Sequence, residues 1–192
     1  MGVTAMTAQI GDLYQYGGAV YTIVARRGDM PFHPSEYGIT PKPVCTACWR
    51  GYWCVYNITE EGVFLEELYI HSGDDTYPPI AGVLPEEETY MGHHRYGGLH
   101  LRLPFTGRVL IGKDFLRQYY IHMGYQRPWA YETLIELVFK DGKLVETKDE
   151  SLTAAVLRET IPLDRGFRGR LLRRRRRGEP VVDPRTRIWW LK

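Results

Sequence analysis

The chain has no hydrophobic run of membrane-spanning length and little cysteine. Its 192 residues include three Cys, and no stretch approaches the ~18 consecutive apolar residues of a transmembrane helix. Residues 1–11 lack the basic and apolar regions of a secretory signal. Three Cys without an export signal argue against a disulfide framework and for a reducing compartment. These absences predict a cytoplasmic protein that does not contact a membrane.

Recognised catalytic signatures are also missing. The sequence contains no HExxH zinc motif, no DxDxDG calcium loop, no GxSxG nucleophile elbow and no phosphate-binding P-loop. No cofactor is therefore expected, and the sequence favours a non-enzymatic protein.

Most of the body has strand patterns. Segment 20–24 is β-branched and aromatic between glycines, and segment 99–103 alternates strictly between apolar and polar residues. Two pairs of such segments flank turn sequences and predict hairpins: 52–59 with 63–70 around Gly62, and 132–140 with 143–147 around Asp141-Gly142.

Two helices are predicted. Residues 114–123 place Phe115 and Tyr119 on one stripe, with Asp114 as a candidate cap and His122 near the C-terminal end of the dipole. Ser151 is a candidate cap for a second helix over residues 152–160. With strands in the majority, the fold class is α+β, mostly antiparallel β, with a sheet or barrel-like body and one or two short helices.

Charge is divided unevenly along the chain. Residues 1–157 carry 13 basic and 19 acidic side chains, whereas residues 158–192 carry 12 basic and four acidic ones. The overall charge of +2 therefore conceals an acidic body and a strongly basic end. We predict a compact domain over residues 1–161 and an Arg-rich C-terminal extension over residues 162–192.

The extension is predicted to bind a polyanion through guanidinium groups, which donate paired hydrogen bonds to phosphate and stack on bases. Nucleic acid and an acidic protein are both possible partners. The distal tryptophans are expected to be buried, by docking on the body, by forming a homo-oligomer or by entering a larger complex. The predicted nucleic-acid-binding residues are Arg168, Arg170, Arg173, Arg174, Arg175, Arg176 and Arg177, and the predicted docking residues are Trp189 and Trp190.

A second dense segment contains Cys45, Cys48 and Cys54 among aromatic residues. Thiolates chelate zinc, and a fourth ligand could come from His71, His93 or His94, but the second spaced pair typical of zinc sites is missing. We favour Cys48 and Cys54 as small buried hydrophobic residues, which is the commonest state of free Cys.

Residues Thr46-Ala47-Cys48-Trp49-Arg50-Gly51-Tyr52 resemble a stretch found in uncharacterised small bacterial proteins. The resemblance covers this segment and the following hairpin, and it implies no function. Arg50 lies between Trp49 and Trp53, where ring stacking or a buried ion pair is available. A structural pair with a carboxylate of the body is the favoured interpretation.

Residues 72–98 are predicted to form a long loop, which is uncommon in a compact domain unless it is functional or disordered. The alternative function rests here: a small metal-dependent or acid–base hydrolase that uses Asp74, Asp75, His93 and His94. A polar surface loop is the simpler interpretation. A further aromatic set could line a pocket or a stacking platform, although core packing is favoured: Tyr119, Tyr120, Tyr125, Trp129 and Tyr131.

Overall fold

Nine β-strands form one sheet in the part of the chain that the structure, a computed structural model, describes: residues 8–87, 92–122, 124–160 and 189–191. In space the strands follow the order β5-β6-β4-β3-β1-β2-β7-β8-β9. All pairs are antiparallel except β1 with β3. In chain order the strands are β1 (Leu13–Tyr16), β2 (Ala19–Arg27), β3 (Tyr52–Thr59), β4 (Gly62–Ile70), β5 (Glu86–Glu87), β6 (His94–Arg102), β7 (Gly107–Phe115), β8 (Tyr131–Lys140) and β9 (Lys143–Asp149).

Both predicted hairpins are confirmed. Strands β3 and β4 pair across the turn before Gly62, and β8 and β9 pair across Asp141-Gly142. Asp141 and Gly142 have φ angles of 49° and 78°, which is the left-handed pair that a type I′ turn requires. A Cβ on Gly142 would lie 2.3 Å from the Leu103 carbonyl oxygen. Glycine is therefore needed there for space as well as for conformation.

The sheet curls so that strands far apart in its order meet. The Val63 amide of β4 donates to the Gly142 carbonyl at the tip of the β8–β9 hairpin, at 2.9 Å. The Tyr16 hydroxyl lies 3.3 Å from that of Thr147, linking β1 to β9. These contacts enclose the larger core.

Alternating side chains of β7 and β8 divide the apolar residues between two clusters. Val109, Ile111, Leu137 and Phe139 belong to the main core, where they join aromatic residues such as Tyr14. Leu110 and Leu134 lie at the alternate positions of these strands, point to the opposite face and form a second cluster with the α-helix α1 (Ser151–Thr160). The period of two along a strand produces this division.

The mostly antiparallel α+β fold is confirmed, as is the helix over residues 152–160. Ser151 is the first residue of α1 and not its cap. The Ser151 hydroxyl accepts from the Leu134 amide at 3.0 Å, while Asp149 Oδ1 accepts from the Ser151 amide at 2.8 Å. In the described residues no helix has the length and apolar character needed to cross a membrane.

The predicted helix over residues 114–123 is wrong. Strand β7 runs through Asp114 to Phe115, which pairs with Tyr131, and one 3₁₀ turn over Arg117–Tyr119 follows. The ladder to β8 is a long-range interaction that overrides the helical spacing. Asp114 caps no helix, since its Oδ2 accepts from the Thr133 hydroxyl at 3.1 Å. His122 consequently lies outside any helix.

The predicted loop over residues 72–98 is too long at its C-terminal end. Strand β6 begins at His94 and pairs with β4, so residues 94–98 belong to the sheet. The short strand β5 also pairs with β6, through Glu86 and Glu87. The Gly and Pro content concealed these long-range pairings.

Candidate functional site

The two C-terminal tryptophans lie on the body. The 3₁₀ turn Trp189–Leu191 brings the Trp190 ring into the second cluster, where 8% of this residue is exposed. The partners of Trp190 there are Leu110, Leu134, Ala154 and Leu157. Of the three destinations that the sequence left open for these rings, the structure has the first, docking on the chain's own sheet and helix.

Trp189 adds a polar contact to this attachment. Its indole Nε1 donates to Glu136 Oε1 at 2.9 Å. The same oxygen accepts from Arg108 Nη1 at 2.7 Å, and Glu136 is buried. A buried carboxylate needs such partners because its charge has lost water. We call Trp189, Trp190 and Glu136 the tryptophan anchor.

The helix before the Arg-rich segment is attached to the same layer. Arg158 Nη1, in the last turn of α1, donates to the Trp129 carbonyl at 3.2 Å and to the Tyr131 carbonyl at 2.9 Å. Segment 161–188 therefore starts after an attached helix and ends at the tryptophan anchor. The predicted nucleic-acid-binding arginines fall in this segment and lie outside the described residues.

Arg50 forms the structural pair with a carboxylate of the body that the sequence favoured. Its Nη1 donates to Asp12 Oδ2 at 3.0 Å, and its Nη2 donates to Asp12 Oδ1 in a two-pronged contact. Asp12 Oδ1 also accepts the Cys54 amide at 2.8 Å, and the carboxylate is 1% exposed. The guanidinium packs over the Tyr52 ring at 4.3 Å. We call Asp12, Arg50, Tyr52 and Cys54 the arginine cluster.

The cysteines near this cluster are unreactive by their surroundings. Cys48 and Cys54 are buried, as predicted. Burial raises the pKa of the Cys48 thiol to about 11 and that of Cys54 well above its ordinary value. Neutral thiols are poor nucleophiles and poor metal ligands. No group of three His, Cys, Asp or Glu residues able to hold a metal occurs among the described residues, Cys45 included.

The predicted hydrolase residues occupy different environments. Asp74 lies in an exposed turn, where hydrogen bonds from the Ser72 hydroxyl at 2.6 Å and the Thr76 amide lower the pKa of its carboxyl. Asp75 is the next residue of that turn, exposed and with φ of 56°. These contacts are typical of a surface turn.

The two histidines of the same prediction contact aromatic rings. His93 is buried with its ring edge against Trp53, at 4.6 Å between centroids. His94 begins β6 and stacks on Tyr77 at 3.7 Å. None of these contacts is specific to acid–base chemistry, and the hydrolase alternative stays a prediction.

The aromatic set divides between core and surface. Tyr131 is buried, which raises the pKa of its hydroxyl to about 12. Trp129 packs against the second cluster. Tyr120 and Tyr125 are exposed. The prediction of core packing therefore holds for Trp129 and Tyr131 and is wrong for Tyr120 and Tyr125.

Sequence reasoning missed the two carboxylates that organise these sites. Asp12 lies before β1 without a recognisable motif, and Glu136 is one acidic residue among the apolar residues of β8. A single Glu at a core-facing position of a strand was the available signal for Glu136. Comparison with protein-family models, curated proteins and solved structures finds no match to this chain.

Proposed function

We propose that this chain is a non-enzymatic binding or accessory protein of the cytoplasm, whose Arg-rich segment contacts nucleic acid or another polyanion. The observation that carries the proposal is the tryptophan anchor. Burial of Trp190 and the bond from Trp189 to Glu136 attach the residues that follow the arginines to the body. The tryptophan anchor therefore keeps one end of the Arg-rich segment at the surface of the body.

Attachment of the residues on both sides of segment 161–188 also favours binding of a partner by this segment. A segment whose ends are fixed has fewer conformations than a free tail. Fixed ends in general lower the conformational entropy that a connecting segment loses on binding. The helix contacts of Arg158 and the indole bond of Trp189 provide the two fixed ends.

Charge supports a polyanion as the partner. Segment 161–188 contains ten Arg and three acidic residues, while residues 1–157 have a net charge of −6. Adjacent guanidinium groups repel each other, and phosphates relieve that repulsion while releasing counterions. An acidic body repels nucleic acid, so the long-range electrostatic attraction has to come from the Arg-rich segment.

The experiment compares the full chain with a variant in which Arg173, Arg174, Arg175, Arg176 and Arg177 are all changed to Gln. Substitution keeps the buried tryptophans, which a truncation removes. Fluorescence anisotropy with labelled single-stranded RNA and DNA is measured across a salt series, with a polyglutamate arm for acidic protein. We expect weaker binding by the variant, and a slope of log K against log salt that is shallower by about 3 to 4.

A matched pair of double variants separates position from total charge. Arg176→Gln/Arg177→Gln and Lys140→Gln/Lys143→Gln each remove two positive charges, the second pair from the exposed ends of the β8–β9 turn. The first should weaken binding and the second should change it little. Equal effects of the two variants, or no binding of any polyanion by the full chain at low salt, would overturn the proposal.

A further inference from the structure

The acidic body exposes several large aromatic rings on two segments that hydrogen bonds of Gln9 connect. Trp49 is 58% exposed, Tyr120 49% and Tyr125 46%. Sequence positions 115–131 contain Arg117 and Arg127 and no Asp or Glu, although the body as a whole is acidic. We call Trp49, Tyr120, Tyr125, Arg117 and Arg127 the aromatic platform.

Hydrogen bonds through Gln9 hold two parts of this platform together. The Gln9 side-chain Oε1 accepts from the Trp49 amide at 3.0 Å. The main-chain amide of Gln9 donates to the carbonyl of Gly124, the residue before Tyr125, at 2.9 Å. The same side chain donates to the Thr46 carbonyl at 2.7 Å. Gln9 therefore joins the main chain at Trp49 to the main chain at Gly124, the residue before Tyr125.

The platform is also held on its other side. Gln126 bonds both backbone groups of Ile121, accepting from its amide and donating to its carbonyl, each at 2.9 Å. The Tyr120 ring stands edge-on to Phe115 at 6.4 Å between centroids. A ring that is exposed yet positioned by its neighbours loses little entropy when a flat ligand stacks on it.

We propose that Trp49, Tyr120 and Tyr125 stack on the bases of a single-stranded nucleic acid, while Arg117 and Arg127 contact its phosphates. Exposed aromatic faces accompanied by Arg are the combination that sequence-tolerant single-strand binders use. The inference rests on the proposed function and specifies its ligand as nucleic acid. The arginines of segment 161–188 provide long-range attraction, and the platform adds stacking.

The two contributions differ in their response to salt, which makes them separable. Stacking is sequence-tolerant and releases few counterions, whereas each guanidinium–phosphate contact steepens the salt dependence. A base paired in a duplex hides its face from the platform. Loss of the rings should therefore weaken binding to single strands without changing the salt slope, and should affect duplex binding little.

The test measures anisotropy of labelled oligothymidylate and oligouridylate with full-length Trp49→Ala and Tyr120→Ala/Tyr125→Ala variants. Each is expected to weaken binding about 5-fold or more, at an unchanged salt slope. Tyr120→Phe/Tyr125→Phe keeps the rings and should keep the affinity. Leu152→Ala/Val156→Ala removes exposed apolar side chains from α1 and should also leave it unchanged.

A fluorescence measurement covers the case in which the tyrosine variants fail to fold. Stacking of a base on Trp49 should quench indole emission, and the quenched component should disappear in Trp49→Phe. Quenching that persists in Trp49→Phe, or alanine variants that bind single strands like the parent chain, would overturn the inference. The latter result would point to a protein partner for this surface.

The same variants distinguish failure of this inference from failure of the proposed function. If the five-Arg variant loses affinity while the ring variants keep it, the Arg-rich segment acts alone and the platform has no part in binding. If the ring variants lose affinity while the five-Arg variant keeps it, the body binds nucleic acid and the proposed role of the segment is wrong. Losses in both support both proposals.

Discussion

Asp12 and Glu136 are two buried carboxylates that fix distant parts of the chain in different ways. Asp12 uses both oxygens and holds the Arg50 guanidinium and the Cys54 amide. Glu136 uses one oxygen, Oε1, for both Arg108 and the Trp189 indole. Asp12 is paired with the Arg50 guanidinium, which packs over the Tyr52 ring. Glu136 Oε1 is shared between the partly exposed Arg108 guanidinium and the neutral Trp189 indole.

This difference separates a contact that maintains the body from one that attaches its end. A two-pronged Arg–carboxylate pair is specific in geometry and costly to break in a dry environment. The Arg108 side chain is 42% exposed, so water can replace part of what Glu136 provides. The arginine cluster is therefore expected to be essential for folding, whereas the tryptophan anchor can be lost without loss of the sheet.

The largest effect is expected for Asp12→Ala. It leaves the partly buried Arg50 guanidinium without its carboxylate and the buried Cys54 amide without its acceptor. Together these losses cost about 3–5 kcal/mol of unfolding free energy. Urea titration followed by tryptophan fluorescence measures this loss. Asp29→Ala removes an exposed carboxylate paired with His33 and should leave the midpoint nearly unchanged. Equal midpoints for the two variants would show that the Asp12–Arg50 pair does not maintain the body.

The hairpins were predictable because their signals are local. Asp141-Gly142 encodes a turn conformation that needs no knowledge of the rest of the chain. The helix over residues 114–123 was wrong because β8, which pairs with Phe115, comes later in the sequence and its ladder overrides local spacing. Local patterns therefore yielded the turns and one helix but not the strand order.

The sites were predictable in part, and their partners were not. Arg50 between two tryptophans indicated an ion pair, but Asp12 is 38 positions away. The apolar end at Trp189 and Trp190 indicated burial, yet Glu136 lies 53 positions before Trp189 and has no motif around it. Composition identified the groups that need partners, and only the folded sheet identified the partners.

A smaller effect is expected for Trp190→Ala. Removing a fully enclosed Trp commonly costs about 3–5 kcal/mol. Trp190 is 8% exposed and lies in a three-residue 3₁₀ turn outside the sheet, so we expect a loss of about 2 kcal/mol, below that range. Differential scanning calorimetry measures it, with Trp49→Ala as the control because Trp49 is exposed. If Trp190→Ala lowered the free energy of unfolding more than Asp12→Ala, the tryptophan anchor and not the arginine cluster would be the contact that maintains the body.

The smallest effect is expected for Glu136→Gln. The amide oxygen can still accept from the Trp189 indole, whereas the charge opposite Arg108 is lost, which costs about 1 kcal/mol. Glu132→Gln, at an exposed position of the same strand, is the matched control. A double-mutant cycle of Glu136→Leu, which removes the acceptor, with Trp189→Phe isolates the indole bond. A coupling near zero would mean that Glu136 serves Arg108 alone. Measurable coupling together with an intact sheet would place Glu136 at the attachment of the chain end, while Asp12 maintains the body.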